Sequence, residues 1–272
     1  MLSLDRFIEH RLIHGRAYFS RADALSALGS TPAALTAALT RLIRKRRLAM
    51  PKQGFYLILR AEDQVAGAPD PARWIDPLMK HLGTDYRVSL LRAAAFHGAS
   101  HQAAMVFQVI APRQLRDFEM GRHRLAFVYQ SPVSFRDVNR DDWLDALKTD
   151  AGFARIAGVE LTLLDCARYF QHAAGISGLV QIVKDLGPQA DAETLARAAR
   201  HYQNSSVRRL GYLLNRQGHR RQATALLPFV KRAKTAVPLD PSIKPLDPLL
   251  TLEHPTDPIW KLIVNDTVEA DF

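Results

Sequence analysis

Residues 18–59 read YFSRADALSALGSTPAALTAALTRLIRKRRLAMPKQGFYLIL, and the reading of this stretch decides the fold. The order is helix, tight turn, basic helix and short β-hairpin, that of a winged helix-turn-helix. Ser20 is placed to N-cap a helix over 21–28, its hydroxyl accepting from backbone N–H groups of the first turn. Gly29 follows where a left-handed residue closes a helix. Thr31 and Pro32 start the next helix as cap and first helical residue, a position where the missing proline N–H is no loss. Leu35, Leu39, Leu42 and Ile43 recur at helical spacing and predict one buried stripe. The other face presents Thr36, Thr40, Arg41, Arg44 and Lys45. Residues 48–59 then predict two strands around a turn carrying Lys52 and Gly54, which is a wing.

Charge follows the same outline. Residues 1–60 hold eleven basic residues and three acidic ones (Asp5, Glu9 and Asp23), so eight of the chain's net ten positive charges fall there. A basic excess on a helix-turn-helix pattern is the electrostatic footprint of a nucleic-acid surface. The remaining net charge is only +2, and the excess is expected to stop where the wing ends.

The chain has 272 residues, of which 47% are hydrophobic and 24% charged. It is expected to bury a real core and to divide into at least two units. One cysteine, Cys166, excludes an intrachain disulfide framework and any multi-cysteine metal site; it reads as a buried structural thiol. No apolar run approaches a membrane span and the first residues lack the apolar core of a signal peptide. The expected location is the cytoplasm.

The expected fold class is α+β: a winged helix-turn-helix, then a mixed domain with a small β-sheet and a C-terminal helical bundle. The boundaries are 1–66 for the DNA-binding domain and 74–272 for the rest. A linker is read over 61–71 from Gly67, Pro69 and Pro71. Helices are expected over 74–82 and 89–97, the second capped by Ser89, and strands over 105–111 and 125–129. Residues 159–161 read as an edge strand ahead of a helix over 162–174. Further helices follow over 178–186, from Asp191 to His201, from Ser205 to Gln217, and over 220–234. Asp141 and Asp142 read as the acidic start of a helical turn. The tail over 238–272 carries six prolines by residue 258, is expected to be neither regular helix nor central strand, and to wrap the surface in extended form.

Beyond these patterns the chain resembles the AbiEi-type antitoxins of type IV toxin–antitoxin systems. The likeness is carried by the wing ending in Gly54-Phe55-Tyr56, by the segment from Val88 to Gly98 (VSLLRAAAFHG), by Leu163-Leu164-Asp165, and by Val207-Arg208-Arg209-Leu210-Gly211-Tyr212-Leu213-Leu214. Together these span most of residues 1–230, and the Leu-Leu-Asp and Arg-Arg-Leu-Gly-Tyr-Leu-Leu pair is the specific part. The proline-rich tail has no match in that pattern. The resemblance implies an antitoxin that represses its own operon. Its N-terminal domain would bind inverted repeats in the promoter, and its C-terminal domain would counteract a nucleotidyltransferase-type toxin, with or without stable contact. The alternatives are a stand-alone winged-helix regulator whose C-terminal domain binds an effector or a protein, and a scaffold whose helix-turn-helix pairs with protein.

The expected DNA-binding residues are Ser20, Arg21, Thr31, Thr36, Thr40, Arg41, Arg44, Lys45, Arg47 and Lys52. Thr36, Thr40 and Arg41 are assigned to base edges, and Arg44, Lys45 and Arg47 to phosphates. Arg208 and Arg209 are the expected partner-binding residues. The apolar stripe of Val207, Leu210, Leu213 and Leu214 must face the core, and at least one arginine is expected to point outward. The competing reading has them holding the fold through Asp165 or another carboxylate. Enzyme signatures are missing: no P-loop, no Gly-x-Ser-x-Gly, no acidic residue two places before any lysine, and no Gly-Ser with Asp-x-Asp of a nucleotidyltransferase. His10/His14 and His97/His101 have zinc spacing without a third ligand, and read as ordinary histidines. The expectation is a non-enzymatic protein without cofactor or metal, monomeric in solution.

Overall fold

The computed structural model describes residues 3–99, 106–149, 152–243 and 254–266. The chain divides into two units, one of Met1–Arg87, Met105–Gln130 and Ala146–Arg155, the other of Val88–Ala104, Ser131–Asp145 and Ile156–Phe272. The fold class is α+β.

In the first unit α1 (Leu4–Ile13) precedes β1 (Tyr18–Ser20), α2 (Arg21–Leu28), α3 (Pro32–Arg44), β2 (Leu48–Lys52) and β3 (Phe55–Ile58). The three strands form one antiparallel sheet in the order β1-β3-β2, with Phe19 opposite Tyr56 and Leu48 opposite Ile58. The local signals act as the sequence predicts. Ser20 and Asp23 form a reciprocal capping box, Gly29 is left-handed at φ 57°, and Thr31 Oγ1 accepts from the Ala34 N–H. Leu35, Leu39 and Leu42 are buried against Phe7, Phe19 and Tyr56. Phe7 meets Phe19 edge to face at 5.3 Å between centroids, and Phe19 stacks on Tyr56 at 5.3 Å.

The stretch read as a linker is not one. Residues Ala61–Ala66 are a helix, α4, because the Asp63 carboxylate accepts from the Arg60 N–H at 3.1 Å and closes a first turn. Pro69 and Pro71 lie beyond it, and Pro71–Arg73 is a 3₁₀ turn leading into α5 (Ile75–His81). The chain then forms β4 (Arg87–Val88), β5 (Val106–Ala111), β6 (Phe118–Met120), β7 (His123–Tyr129), β8 (Leu144–Thr149) and β9 (Gly152–Ala157). β5 and β7 pair in parallel from Val106/Arg124 to Ala111/Tyr129, while β6 folds antiparallel onto β7. β4 pairs in parallel with β9 at Val88 and Ile156.

The second unit holds α6 (Leu90–Phe96), α7 (Pro132–Val138), α8 (Val159–Arg168), α9 (Gly175–Leu186), α10 (Ala192–Ala199), α11 (Asn204–Arg216) and α12 (Arg220–Val230). Helix α11 packs on α8, α9 and α12, burying Leu163, Leu179, Leu210, Leu213 and Leu226. Three local readings are corrected. Residues 159–161 are the first turn of α8, not a strand, because Gly158 N-caps a helix there. That helix stops at Arg168, and Ala174 (φ 62°) and Gly175 (φ 75°) re-aim the chain into α9. Helix α11 starts after Gln203 rather than at Ser205, with no side-chain cap.

The tail is corrected as well. It forms β10 (Val237–Pro238), β11 (Thr256–Asp257) and β12 (Leu262–Ile263), a sheet in the order β10-β12-β11. Pro238 lies in the edge strand β10, and the central strand is the proline-free Leu262-Ile263. Residues 254–256, 258 and 259 are exposed as expected, but Trp260 is 1% exposed and anchors the tail inward. No helix among the described residues is long and apolar enough to cross a membrane.

Candidate nucleic-acid interface

Helix α3 spans 13 residues, so it is roughly 20 Å long at 1.5 Å per residue. Ala33, Thr36, Ala37, Thr40, Arg41 and Arg44 are all exposed, and at 100° per residue they fall on one contiguous face opposite the leucine stripe. Sequence reasoning passed over Ala33 and Ala37. Their small side chains let the helix backbone come close to whatever it faces, with the threonines on one side, Arg41 on the other and Arg44 in line with them toward the C-terminal end.

The expected DNA-binding residues separate into two groups. Ser20 and Thr31 spend their hydroxyls on helix caps. Arg21 donates to the Pro32 carbonyl at 2.9 Å and to Thr36 Oγ1 at 2.7 Å, and Thr36 itself donates to Pro32 O at 2.8 Å. This small network ties α2 to the first turn of α3 and sets the angle between them. Arg47 forms an ion pair with Asp5 at 2.6 Å, both side chains largely exposed, an arrangement that contributes little to stability. Thr40, Arg41, Arg44 and Lys45 are exposed and make no side-chain hydrogen bond or ion pair among the described residues.

The wing lysine is drawn inward. Lys52 Nζ lies 4.2 Å from the Phe118 ring centroid and donates to the Arg116 carbonyl at 3.4 Å. Burial, with the nearby Arg116 charge, lowers its pKa. Gln53 is left exposed at the turn, its carbonyl held by His81 Nε2 at 3.0 Å. Arg11 has a purely internal place: it donates twice to the Tyr18 carbonyl, at 3.1 and 2.9 Å.

In the second unit three separate sequence segments converge on one buried carboxylate. Asp165 on α8 accepts from Ser89 Oγ at 2.7 Å and from the Tyr202 hydroxyl at 2.7 Å. Ser89 therefore precedes α6 without capping it by its side chain. The next residue, Leu90, is buried with a left-handed backbone at φ 58°, a conformation disfavoured for a branched side chain. Cys166 is buried, its thiol pKa raised by burial and then by Asp165.

Arg208 and Arg209 correct the expectation of an outward-facing arginine. Each is 4% exposed, and neither holds the fold through Asp165. Arg208 donates to the carbonyls of Thr235 and Lys261, each at 3.0 Å. Arg209 donates to Leu239 O at 2.7 Å and Ala167 O at 2.9 Å, and lies 4.6 Å over the Phe170 ring. Burial pushes the Arg209 pKa down to about 10, against a smaller raising effect of Asp240. Two cations thus bind the ends of α8 and the tail to α11 through main-chain oxygens.

The basic excess does not end at the wing. From 194 to 239 the chain has ten basic residues and no acidic one; the low remainder conceals this because acids elsewhere cancel it. Arg208 and Arg209 apart, these cations (on and after α10, at the end of α11, on and after α12) are exposed. His10 and His14 lie with ring centroids 4.3 Å apart, His97 bonds the Ala157 carbonyl at 2.7 Å, and His101 lies outside the described residues. No metal-binding cluster occurs among the described residues.

Residues 87–216 match the model of the AbiEi antitoxin C-terminal domain. No curated protein matches the chain. Among solved structures, the RV2827C protein from Mycobacterium tuberculosis is 16% identical with a TM-score of 0.62, covering 95% of this chain and 89% of that chain. That is a likeness of fold.

Proposed function

We propose, from the match of residues 87–216 to the AbiEi antitoxin C-terminal domain, an antitoxin that also represses its own operon by binding duplex DNA. The family supports an antitoxin role, with a toxin as the counterpart. The finer reading is a type IV system in phage defence: the toxin is of the nucleotidyltransferase type, the operator is a set of inverted repeats in the operon's promoter, and the protein is a cytoplasmic monomer off DNA.

One observation carries the DNA reading: the exposed face of α3, where Thr40, Arg41, Arg44 and Lys45 are left without internal partners. They share one exposed helix face in a segment of net charge +8. A helix of this kind enters the major groove by its N-terminal turns, and its C-terminal end rises toward the backbone. Thr36, Thr40 and Arg41 then face base edges. Arg44, Lys45 and Arg47 meet phosphates, with Arg47 exchanging Asp5 for a stronger partner. Gln53, exposed at the turn, belongs to the flanking backbone contact of the wing, and Lys52 joins it on leaving the Phe118 ring.

The test is fluorescence anisotropy of the full chain on its own promoter DNA across a salt series. Each phosphate contact contributes roughly −0.9 to the slope of log affinity against log salt, so a steep decline is expected. An affinity that ignores salt, or no binding to that DNA, rejects the reading. The antitoxin half is tested by growth rescue with a co-expressed nucleotidyltransferase toxin from the same operon.

A further inference from the structure

A groove of about 600 Å³ lies behind the C-terminal end of α3. Ile43, Leu48, Met50, Leu59, Val65 and Met120 give it an apolar lining. Its floor is main chain on main chain. Gly67 and Gly121 are both left-handed, at φ 75° and 59°, and a Cβ on either would run into the backbone of the other's segment. The Arg122 N–H donates to the Ala66 carbonyl beside them at 2.8 Å. The two glycines let the segments meet backbone to backbone at one side of the groove. Met50 is 38% exposed and Val65 is 96% exposed at its rim.

Two guanidinium groups, Arg46 and Arg122, line the same groove, and no acidic residue does. Arg46 is the odder of the two. It ends α3 in a left-handed conformation at φ 53°, its N–H donating to Ile43 O and the Arg47 N–H to Leu42 O, both at 2.9 Å. That is a Schellman closure with arginine where glycine normally stands. A long cation at a strained site, beside an apolar groove, points to a ligand for that cation.

We propose that this groove binds a single-chain amphiphile with an anionic head, the chain lying along the apolar lining and the head on Arg46 and Arg122. The volume lies within the range of small-ligand sites, which are mainly apolar with a few placed polar groups. The two methionines suit a flexible chain, being unbranched and adaptable. A second copy of the protein is a poorer occupant. The neighbouring edge strand β2 is interrupted by Pro51 and by a bulge between Ala49 and Lys52, features that prevent strand-to-strand extension. Because Ile43 and Arg46 belong to the last turn and the cap of α3, occupancy would act on the end of the recognition helix. That consequence rests on the DNA reading, whereas the binding itself does not.

The test is isothermal titration calorimetry of the full chain with dodecanoate, hexanoate and dodecanol, all below micelle-forming concentrations. Dodecanoate is expected to bind at one saturable site, with hexanoate and dodecanol each weaker by about tenfold or more, since one loses apolar contact and the other the charged head. Arg122→Gln and Val65→Asp should each weaken dodecanoate by about tenfold without lowering the melting temperature, because both side chains are exposed. Arg46→Gly should weaken it too while raising the melting temperature. Equal binding of dodecanol, unsaturable uptake, or indifference to Arg122→Gln and Val65→Asp overturns the proposal. So does a concentration-dependent dimer that Val65→Asp abolishes and dodecanoate does not affect. Promoter DNA titrated with and without dodecanoate separates the two claims: failure to bind DNA at all rejects the DNA reading, while the calorimetry alone decides the site.

Discussion

Gly211 lies against Trp260 so closely that a Cβ on the glycine would overlap the indole ring. Glycine in a helix interior is about 1 kcal/mol less favourable than alanine, yet it sits in the middle of α11, and the fully buried tryptophan is the reason. Gly211→Ala should therefore destabilise by about 1–3 kcal/mol through overpacking, despite its better helix propensity. Trp260→Ala should cost about 3–5 kcal/mol. Urea unfolding of both variants checks this, and a stabilised Gly211→Ala protein would show that the tail does not dock on α11.

Asp165 accepts from two hydroxyls of distant origin, Ser89 and Tyr202. Asp165→Ala should leave each buried hydroxyl short of a partner at about 1–3 kcal/mol apiece, and should release the strained backbone of Leu90, which adjoins Ser89. Tyr202→Phe should cost less, about 1 kcal/mol. A double-mutant cycle between positions 165 and 202 reads the coupling. Additive effects would mean that the hydrogen bond contributes nothing to stability.

How far these features could be read in advance depends on how local their causes are. The winged helix was legible because Ser20, Gly29, Thr31 and Pro32 act within one turn of themselves and the leucines of α3 repeat at its own period. Helix α4 was obscured by Pro69 and Pro71, which lie past its end, while its start is set by Asp63 on a main-chain N–H. Arg208 and Arg209 looked like surface charge because adjacent cations on a helix usually are. The carbonyls that bury them come from residues 27 to 53 positions away in the chain, and no local pattern announces such partners. The exposed arginines and threonines of α3 were legible for the same reason as the helix; the withdrawal of Lys52 onto Phe118 was not, since Phe118 lies on another strand.

His219 packs over Gly187, where an added Cβ would overlap the imidazole ring. Burial lowers its pKa, more than the carbonyls of Val183 and Lys184 raise it. The folded protein thus holds fewer protons than the unfolded chain just below the ordinary histidine pKa, so stability rises with pH through that window and is lost on acidification. The melting temperature should fall as pH drops from about 7.5 to 5.5, a window set by the ordinary histidine value, and the fall should be shallower in His219→Gln. An identical slope in parent and variant assigns the acid sensitivity to other groups.

Arg41 and Lys45 stand one turn apart on α3, both exposed and both without an internal partner among the described residues. Their places along the helix predict different roles on DNA. Arg41 lies further from the C-terminal end and carries a planar fork of donors that matches the O6 and N7 acceptors of guanine. Lys45 is the C-cap residue, at the level where the helix rises to the backbone, and its ammonium is a point charge that reads no base. Arg41→Ala should cost roughly 1–3 kcal/mol on the operator and relax preference at one base pair, leaving random DNA nearly unaffected. Lys45→Ala should weaken operator and random DNA alike and reduce the salt slope by about one. Anisotropy titrations of both variants on operator and scrambled duplexes, each at several salt concentrations, separate the two outcomes. If both substitutions lower specific and random binding equally, α3 does not enter the groove in this orientation, and the base-reading face must be sought at its N-terminal turn, around Ala33 and Thr36.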